Sequence, residues 1–475
     1  MTHHDRSASI PQRSPYFGAA WLLIAACSAP AKTTLARTPV LPPARAEATE
    51  LDHPLTLSDV VALALERSPD REAAAARVEA AAATLARAEA SLWPMVGVQA
   101  SYVRSDAPSS YLFEHIDGHA LPAGASFNDP GWFGATKLGV GARWNLWNGW
   151  RDELATEAAG RDVEARAAEH RALDNELAAA ALGAVVDARA ARELGAAAEA
   201  SIATVEAQLA ETQARVDRGA ALRSDVLSLE VRLAEARENV LRSRLGERLA
   251  AAALRRLLSF APDAALELAG EVTAPTREPA TLDEALVEAY SRRPELVAAR
   301  GAFAAARARS VAADRAWLPR LDLEARGWSV DVDSGVDFDD PNYQLGLALS
   351  FDVFDGGARA ADRRQARAFA RALASADASA VRAIEFDVQQ AWLQLDEARA
   401  RLEVTRTALA ASEETLDLVA KQFQAGSVVV TRFLEAESAR TQAKSAVVRA
   451  TLDVERAKLE LARARGALID ELLGR

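Results

Sequence analysis

Thr56-Leu57-Ser58-Asp59, leading to Ser68-Pro69-Asp70, is matched further along the chain by Thr281-Leu282-Asp283-Glu284, leading to Arg293-Pro294-Glu295. Pro294 follows Pro69 by 225 residues and Pro319 follows Pro94 by the same interval, so the chain carries one unit twice. Thr281-x-x-Glu284 is a capping-box pattern and Thr56-x-x-Asp59 a near match. Each opens a short helix that must stop before its proline, because the residue preceding a proline is pushed out of the α region. Ser68-Pro69 then supplies an N-cap and a first-turn proline for a new helix, which runs to Trp93. Its twin runs through Ala316 to Leu318, and both end at a proline, Pro94 or Pro319, where the period of the sequence changes.

After Pro94 the period is two. Val96, Val98, Ala100 and Tyr102 alternate with Gly97, Gln99 and Ser101, and Leu138, Val140, Ala142, Trp144 and Leu146 alternate with Gly139, Gly141, Arg143 and Asn145. In the second copy Leu321, Leu323 and Ala325 oppose Asp322, Glu324 and Arg326. There too, Leu345, Leu347, Leu349, Phe351 and Val353 oppose Gln344, Gly346, Ser350 and Asp352. The expected strands are 95–104, 137–147, 320–330 and 343–353. Four such runs of about nine residues, with aromatics Trp144, Trp147, Trp328 and Phe354 at their boundaries, carry the signature of transmembrane barrel strands. A soluble sheet with one wet face also alternates, but it needs a covering layer, and the flanking segments here read as long helices that lead away.

No proline occurs from Gly149 to Gly219 or from Gly357 to Gly426. The helices expected over 150–217 and 358–424 are about 100 Å long at 1.5 Å per residue. Val388, Leu395, Leu402, Leu409, Leu416 and Phe423 recur every seventh residue, a coiled-coil seam, and Ile202, Leu209 and Val216 keep the same register in the first copy. The long helices end at Gly219 and Gly426, whose tolerance of positive φ suits a reversal. The chain restarts near Ser224 and Thr431 in returning helices over 224–258 and 431–473.

Composition fits this plan. The 475 residues are 26% charged with 18 prolines, and a net charge of −12 without a Lys/Arg stripe disfavours nucleic acid as a partner. Tyr16–Ala26 is an apolar run preceded by Arg6 and Arg13, which fits a secretory signal and is too short to span a bilayer as a helix. It ends Ile24-Ala25-Ala26-Cys27, which resembles a bacterial lipobox with Cys27 as the lipidated first residue of the mature chain. Ser28 behind it resembles an outer-membrane sorting residue. The other possibility is ordinary cleavage after Ala29-Pro30-Ala31 with Cys27 discarded. The chain therefore divides into a signal peptide (1–27), an extended proline-rich segment (28–55), a first repeat (56–270) and a second repeat (271–475).

Four strands cannot close a barrel, and unpaired backbone in lipid costs several kcal/mol per group, so the chain must oligomerise. Two copies would give eight strands with a filled interior, and three would give twelve with an aqueous lumen. Gln99, Arg143, Asn145, Asp322, Glu324, Arg326 and Asp352 would face that lumen, and the apolar set would face lipid.

Three features together resemble the TolC-like outer-membrane efflux channels, including their lipoprotein members. The first is the duplicated helix-proline-strand unit. The second is the pair of strand ends Trp144-Asn145-Leu146-Trp147-Asn148-Gly149 and Phe351-Asp352-Val353-Phe354-Asp355-Gly356-Gly357. The third is the pair of turns, Arg218-Gly219 through Asp225-Val226-Leu227 and Gln424-Ala425-Gly426 through Phe433-Leu434-Glu435. The resemblance covers the chain from Thr56. It implies a mainly α fold with a membrane β-barrel portion: a homotrimer whose twelve-stranded barrel in outer-membrane lipid is continued by an α-helical barrel across the periplasm. The implied function is passive conduction, as the exit duct of a tripartite efflux or type I secretion system, with no catalysis. A periplasmic adaptor protein would dock at the tip turns, Gly219 with Ser224 and Gly426 with Thr431, and an inner-membrane pump would supply the energy. Acidic residues ringing the entrance fall on Glu435 and Asp225. The neighbouring position, often acidic, is Arg432, which would pair with Glu435 or Asp225 or weaken a cation-selective ring. The structural reading of all three is a solvated helix-end charge.

No cofactor is expected. His115 and His119 are spaced i, i+4, but they sit in Ser105–Gly134, read as a glycine- and proline-rich loop, so no zinc site is credible. The acidic loop Asp331–Asp340 lacks the twelve-residue calcium pattern, and no nucleophile-base motif or phosphate loop occurs. The alternative to a channel is a structural periplasmic coiled-coil protein without a pore.

Overall fold

The computed structural model describes residues 53–124, 126–269, 277–332 and 340–473. Cys27, nearly all of the extended segment and residues 333–339 of the acidic loop lie outside them. The chain forms α1 (Leu57–Arg67), α2 (Pro69–Ala90), β1 (Met95–Ser105), α3 (Pro108–Asp117), β2 (Phe133–Trp147), α4 (Arg151–Asp217) and α5 (Arg223–Leu257). The second copy gives α6 (Leu282–Arg292), α7 (Pro294–Asp314), β3 (Arg320–Val332), β4 (Asn342–Ser350), α8 (Ala358–Gln424), α9 (Val430–Ala464) and α10 (Leu468–Leu473). The described residues fall into two compact units: a sheet unit within 86–156 and 311–363, and a helical unit within 53–85, 157–310 and 364–473.

The sheet has the order β1-β2-β3-β4 with every neighbouring pair antiparallel, which leaves β1 and β4 as edges. Its register sorts the side chains by chemistry. Gln99 stands opposite Gly139, Arg143 opposite Glu324, Asn145 opposite Asp322 and Arg326 opposite Gln344, so these polar residues share one face. On that face Arg143 Nε donates to Glu324 Oε1 at 3.0 Å and Asn145 Nδ2 to Asp322 Oδ1 at 2.9 Å. The other face is apolar and bare over most of its area, with Thr136, Ser329 and Asp331 toward the end remote from Pro94: Val98 is 74% exposed, Tyr343 80%, Leu345 75% and Leu347 67%. A bulge between Asn145 and Trp147 returns Trp147 to the apolar side, opposite Leu321.

Three expectations about the sheet are corrected. β4 stops at Ser350, so Asp352 and Val353 lie beyond the ladder: Ser350 pairs with Arg320, the first residue of β3, and Pro319 before it has no N–H to donate. Trp328 is not a membrane-boundary residue, because it shares the polar face with Arg326 and packs with Phe133, Ala135 and Val330. The stretch Ser105–Gly134 is not simply a loop, since it contains α3 with Pro108 at its start. A ten-residue helix is marginal alone, and α3 forms because the sheet gives its apolar side somewhere to pack.

The two strand-end motifs act as helix starts. Asn148 Oδ1 accepts from Arg151 N at 2.9 Å, and Asp355 accepts from Gly357 N and Arg359 N at 2.9 Å each. The Arg359 backbone hydrogen bond and its guanidinium hold the Asp355 carboxyl at about 2. Gly149 has φ 75°, and a Cβ there would sit 2.7 Å from Leu318 Cδ1. Gly219 has a similar φ of 72° with open space around it. Gly149→Ala is therefore expected to cost about 1–3 kcal/mol and Gly219→Ala only the backbone part of that, as read by thermal melting of the two purified variants.

In the helical unit α1 opens with a complete capping box: Thr56 Oγ1 accepts from Asp59 N at 3.2 Å, and Asp59 accepts from Thr56 N at 2.9 Å. In the second copy Glu284 reaches Ala280 N instead, at 2.8 Å. The long helices α4 and α8 are 67 residues each. Val388, Leu395 and Leu402 are buried as expected, packed against Val454, Ala457 and Leu461 of α9. In α4 the buried line is one residue off the expected seam. It runs Ser201, Val205, Gln208 and Thr212, leaving Ile202, Leu209 and Val216 half-buried. The last returning helix is also not continuous to Leu473. Gly466, at φ 71°, ends α9 with the bonds Gly466 N to Arg463 O and Ala467 N to Ala462 O, a Schellman motif, before α10 begins.

Candidate functional site

The two reversals are built alike. At the end of α4, Gly219 N donates to Val216 O at 2.8 Å and Ala220 N to Arg215 O at 2.8 Å. At the end of α8, Gly426 N donates to Phe423 O at 3.0 Å and Ser427 N to Gln422 O at 2.9 Å. Both are Schellman turns with the glycine at positive φ, which the absence of a Cβ permits. The turns are joined by Arg215. Its guanidinium donates to Phe423 O and Gln424 O at 3.1 Å each, the last carbonyls of α8, where a cation also meets the negative end of the helix dipole. Arg215 lies over the Phe423 ring at 5.4 Å, and Phe423 stacks on Phe433 at 5.7 Å. Val205, Leu229, Leu233, Val419 and Val430 complete this apolar knot.

The three charges named from the sequence take two different roles. Asp225 accepts the Leu222 amide at 3.2 Å and so caps the start of α5. Arg432 pairs with Glu435 at 3.2 Å, an i, i+3 contact along α9 in which both side chains are more than half exposed. It does not pair with Asp225, so within one chain this ion pair ties no two helices together. Ser224 and Thr431 are exposed in the first turns of α5 and α9, and Gly219 and Gly426 are exposed at the reversals.

Two residues further along α9 stands the group that the sequence did not flag. Glu437 is 0% exposed. Its Oε1 accepts from Ser201 Oγ of α4 at 2.7 Å and from Thr441 Oγ1 at 2.8 Å, with Arg440 at 3.8 Å, and its Oε2 accepts from Arg232 of α5 at 2.9 Å. Burial pulls the Arg232 pKa down, but the hydrogen bond to Glu235 and the charge and hydrogen bond of Glu437 outweigh it and hold it above its ordinary value. One carboxylate thus joins α4, α5 and α9. The available signal was positional: Val430, Phe433 and Glu437 are spaced i, i+3, i+7, which puts a charge on the core-facing stripe of α9.

Cys27 lies outside the described residues. Among the described residues no helix is long and apolar enough to cross a membrane, and no group of three or more His, Cys, Asp or Glu residues could hold a metal ion.

A family model described as "Outer membrane efflux protein" matches residues 60–259 and 285–467. The outer membrane efflux protein BepC of Brucella suis biovar 1 is 28% identical over 170 residues, a match spanning 34% of this chain and 35% of BepC, about a third of the length of that relative. Among solved structures, CusC superposes with a TM-score of 0.76 at 17% identity, over 89% of this chain and 99% of that one. VceC of Vibrio cholerae gives 0.74 at 18% identity over 86% and 96%. The open state of MtrE of Neisseria gonorrhoeae gives 0.73 at 22% identity over 87% and 89%. At these identities the structural likenesses carry the fold.

Proposed function

The chain belongs to the outer membrane efflux protein family, and from that premise we propose that it is the exit duct of a tripartite efflux or type I secretion system, conducting cargo passively from periplasm to exterior. The observation that carries this reading is the sheet: one bare apolar face, one polar face and two unpaired edges. Lipid solvates the first, water the second, and the edges need strands from other copies, since no open edge is stable in hydrocarbon. Three chains would close a twelve-stranded barrel with Gln99, Arg143 and Glu324 in a lumen wide enough for water. The long helices α4 and α8 would continue it as a tube through the periplasm, with Cys27 as a lipid anchor in the outer membrane.

The two turns at Gly219 with Ser224 and Gly426 with Thr431 are the docking points for a periplasmic adaptor, which links the duct to an inner-membrane pump. Asp225, Arg432 and Glu435 form the charged rim of the entrance, and the Glu437 cluster behind them is the latch that holds the returning helices against α4. Fractionation tests the channel reading. Recovery of the protein in the outer membrane, with ion conductance after reconstitution, is the expected result; recovery in the soluble periplasm would leave the pore-free coiled-coil protein instead.

The rim has its own test. Glu435 neutralises Arg432, so Glu435→Ala leaves an unpaired cation on α9 and is expected to shift the reversal potential of single channels toward anion preference. Unchanged conductance and ion preference would remove Glu435 from the gate.

A further inference from the structure

The polar face of the sheet is not uniformly polar. At the end remote from Pro94 and Asn148 it carries Phe133, Ala135, Trp328, Val330 and Val332, and α3 lies on them. The seat is specific. Tyr111 meets Phe133 edge-on at 5.3 Å, Glu114 pairs with Lys137 at 2.8 Å, and Asn342 Nδ2 donates to Asp117 O at 2.7 Å. Gly118, just past the helix, passes so close to β3 that a Cβ there would stand 2.9 Å from Val330 O. His115 is buried against Tyr111, with Nδ1 2.8 Å from the Tyr111 carbonyl oxygen.

With Tyr111, Glu114 and His115 turned to the sheet, the 100° step of an α-helix turns Phe113 and Ile116 away from it, and they are 64% and 47% exposed. Lys137 lies on the strand face that also bears Gly139, Arg143 and Asn145. In a closed barrel that face lines the pore.

We propose that α3 is a lid folded into the outer mouth of the barrel, held by the Glu114–Lys137 ion pair and the Tyr111 seat, and that Phe113 and Ile116 from three copies form an apolar collar narrowing the exit. This rests on the channel reading above. An apolar constriction resists wetting and so bars water and small ions without any charged gate. The duct would then close at both ends, by the tip on the periplasmic side and by the lid on the outer side.

Thiol labelling in intact cells with a membrane-impermeant maleimide tests the lid. The probe is Gln99→Cys, on the lumen face in the row of Gly139 and Trp328, at the inner margin of the seat of α3, in the full-length chain. The unsubstituted chain, with Cys27 as its one cysteine, sets the background. Replacing Pro108–Asp117 by a Gly-Ser linker is expected to raise the labelling rate on the order of tenfold, as removal of a dewetted constriction should. The double variant Phe113→Ser with Ile116→Ser, which leaves the seat intact, should do the same for a small maleimide. Equal rates with and without the lid would overturn the proposal. Val98→Cys, on the opposite face, separates that failure from a deeper one, since in the chain with Pro108–Asp117 replaced, labelling of Val98→Cys as fast as Gln99→Cys would overturn the pore itself.

Discussion

Glu437→Ala is expected to lower the stability of the purified protein by about 3–5 kcal/mol, the loss typical when one member of a buried ion pair is removed. The reason is what stays behind. Arg232 and Arg440, both largely buried, would lose their shared anion, and Ser201 Oγ and Thr441 Oγ1 would lose their acceptor. The charge and the hydrogen bonds can be separated. Glu437→Gln retains an acceptor for Ser201 and Thr441 while discarding the charge, so it should fall between wild type and alanine. Glu437→Leu combined with Arg232→Met should recover much of the loss, because replacing a whole buried pair by apolar groups also removes its desolvation cost. Thermal unfolding reads the series, and single-channel recording reads the latch, since loosening α9 from α4 and α5 should raise the time spent conducting. An alanine variant within about 0.5 kcal/mol of wild type, the range of ordinary surface substitutions, would show that the cluster holds nothing.

Leu347→Arg and Gln99→Arg are expected to differ sharply although both put the same side chain into the same sheet. Leu347 lies on the bare apolar face near the middle of β4, opposite Leu323. An arginine there would meet hydrocarbon, at about 2–4 kcal/mol per chain near the bilayer midplane, and a trimer would carry that cost three times. Gln99 is on the polar face, where an arginine would meet lumen water and cost little. The yield of heat-resistant oligomer in the outer-membrane fraction measures the contrast: collapse for Leu347→Arg, near wild type for Gln99→Arg. Equal yields would mean that the two faces do not see different solvents.

The elements legible in the chain were those whose cause is local. Alternation at period two placed all four strands, the proline-free stretches placed the two 67-residue helices, and Gly219 and Gly426 marked the reversals. What failed locally did so for a visible reason. β4 stopped early because its partner strand begins after a proline, and the α4 seam shifted by one residue because polar Ser201, Gln208 and Thr212, not the apolar heptad, were turned inward. α3 was invisible because its apolar residues make no long period, and it is stabilised by a seat on β2 and β3.

The sequence by itself determined the duplication, the two-faced sheet and the paired helical hairpins, because periodicity and backbone chemistry act between neighbours along the chain. Only the tertiary structure decided what meets the buried charge. The spacing from Val430 and Phe433 places Glu437, and not Glu435, on the core-facing stripe of α9, but its partners are set in space: α4 and α5 bring Ser201 and Arg232, both more than 200 residues away along the chain, against Glu437 and leave Glu435 in water.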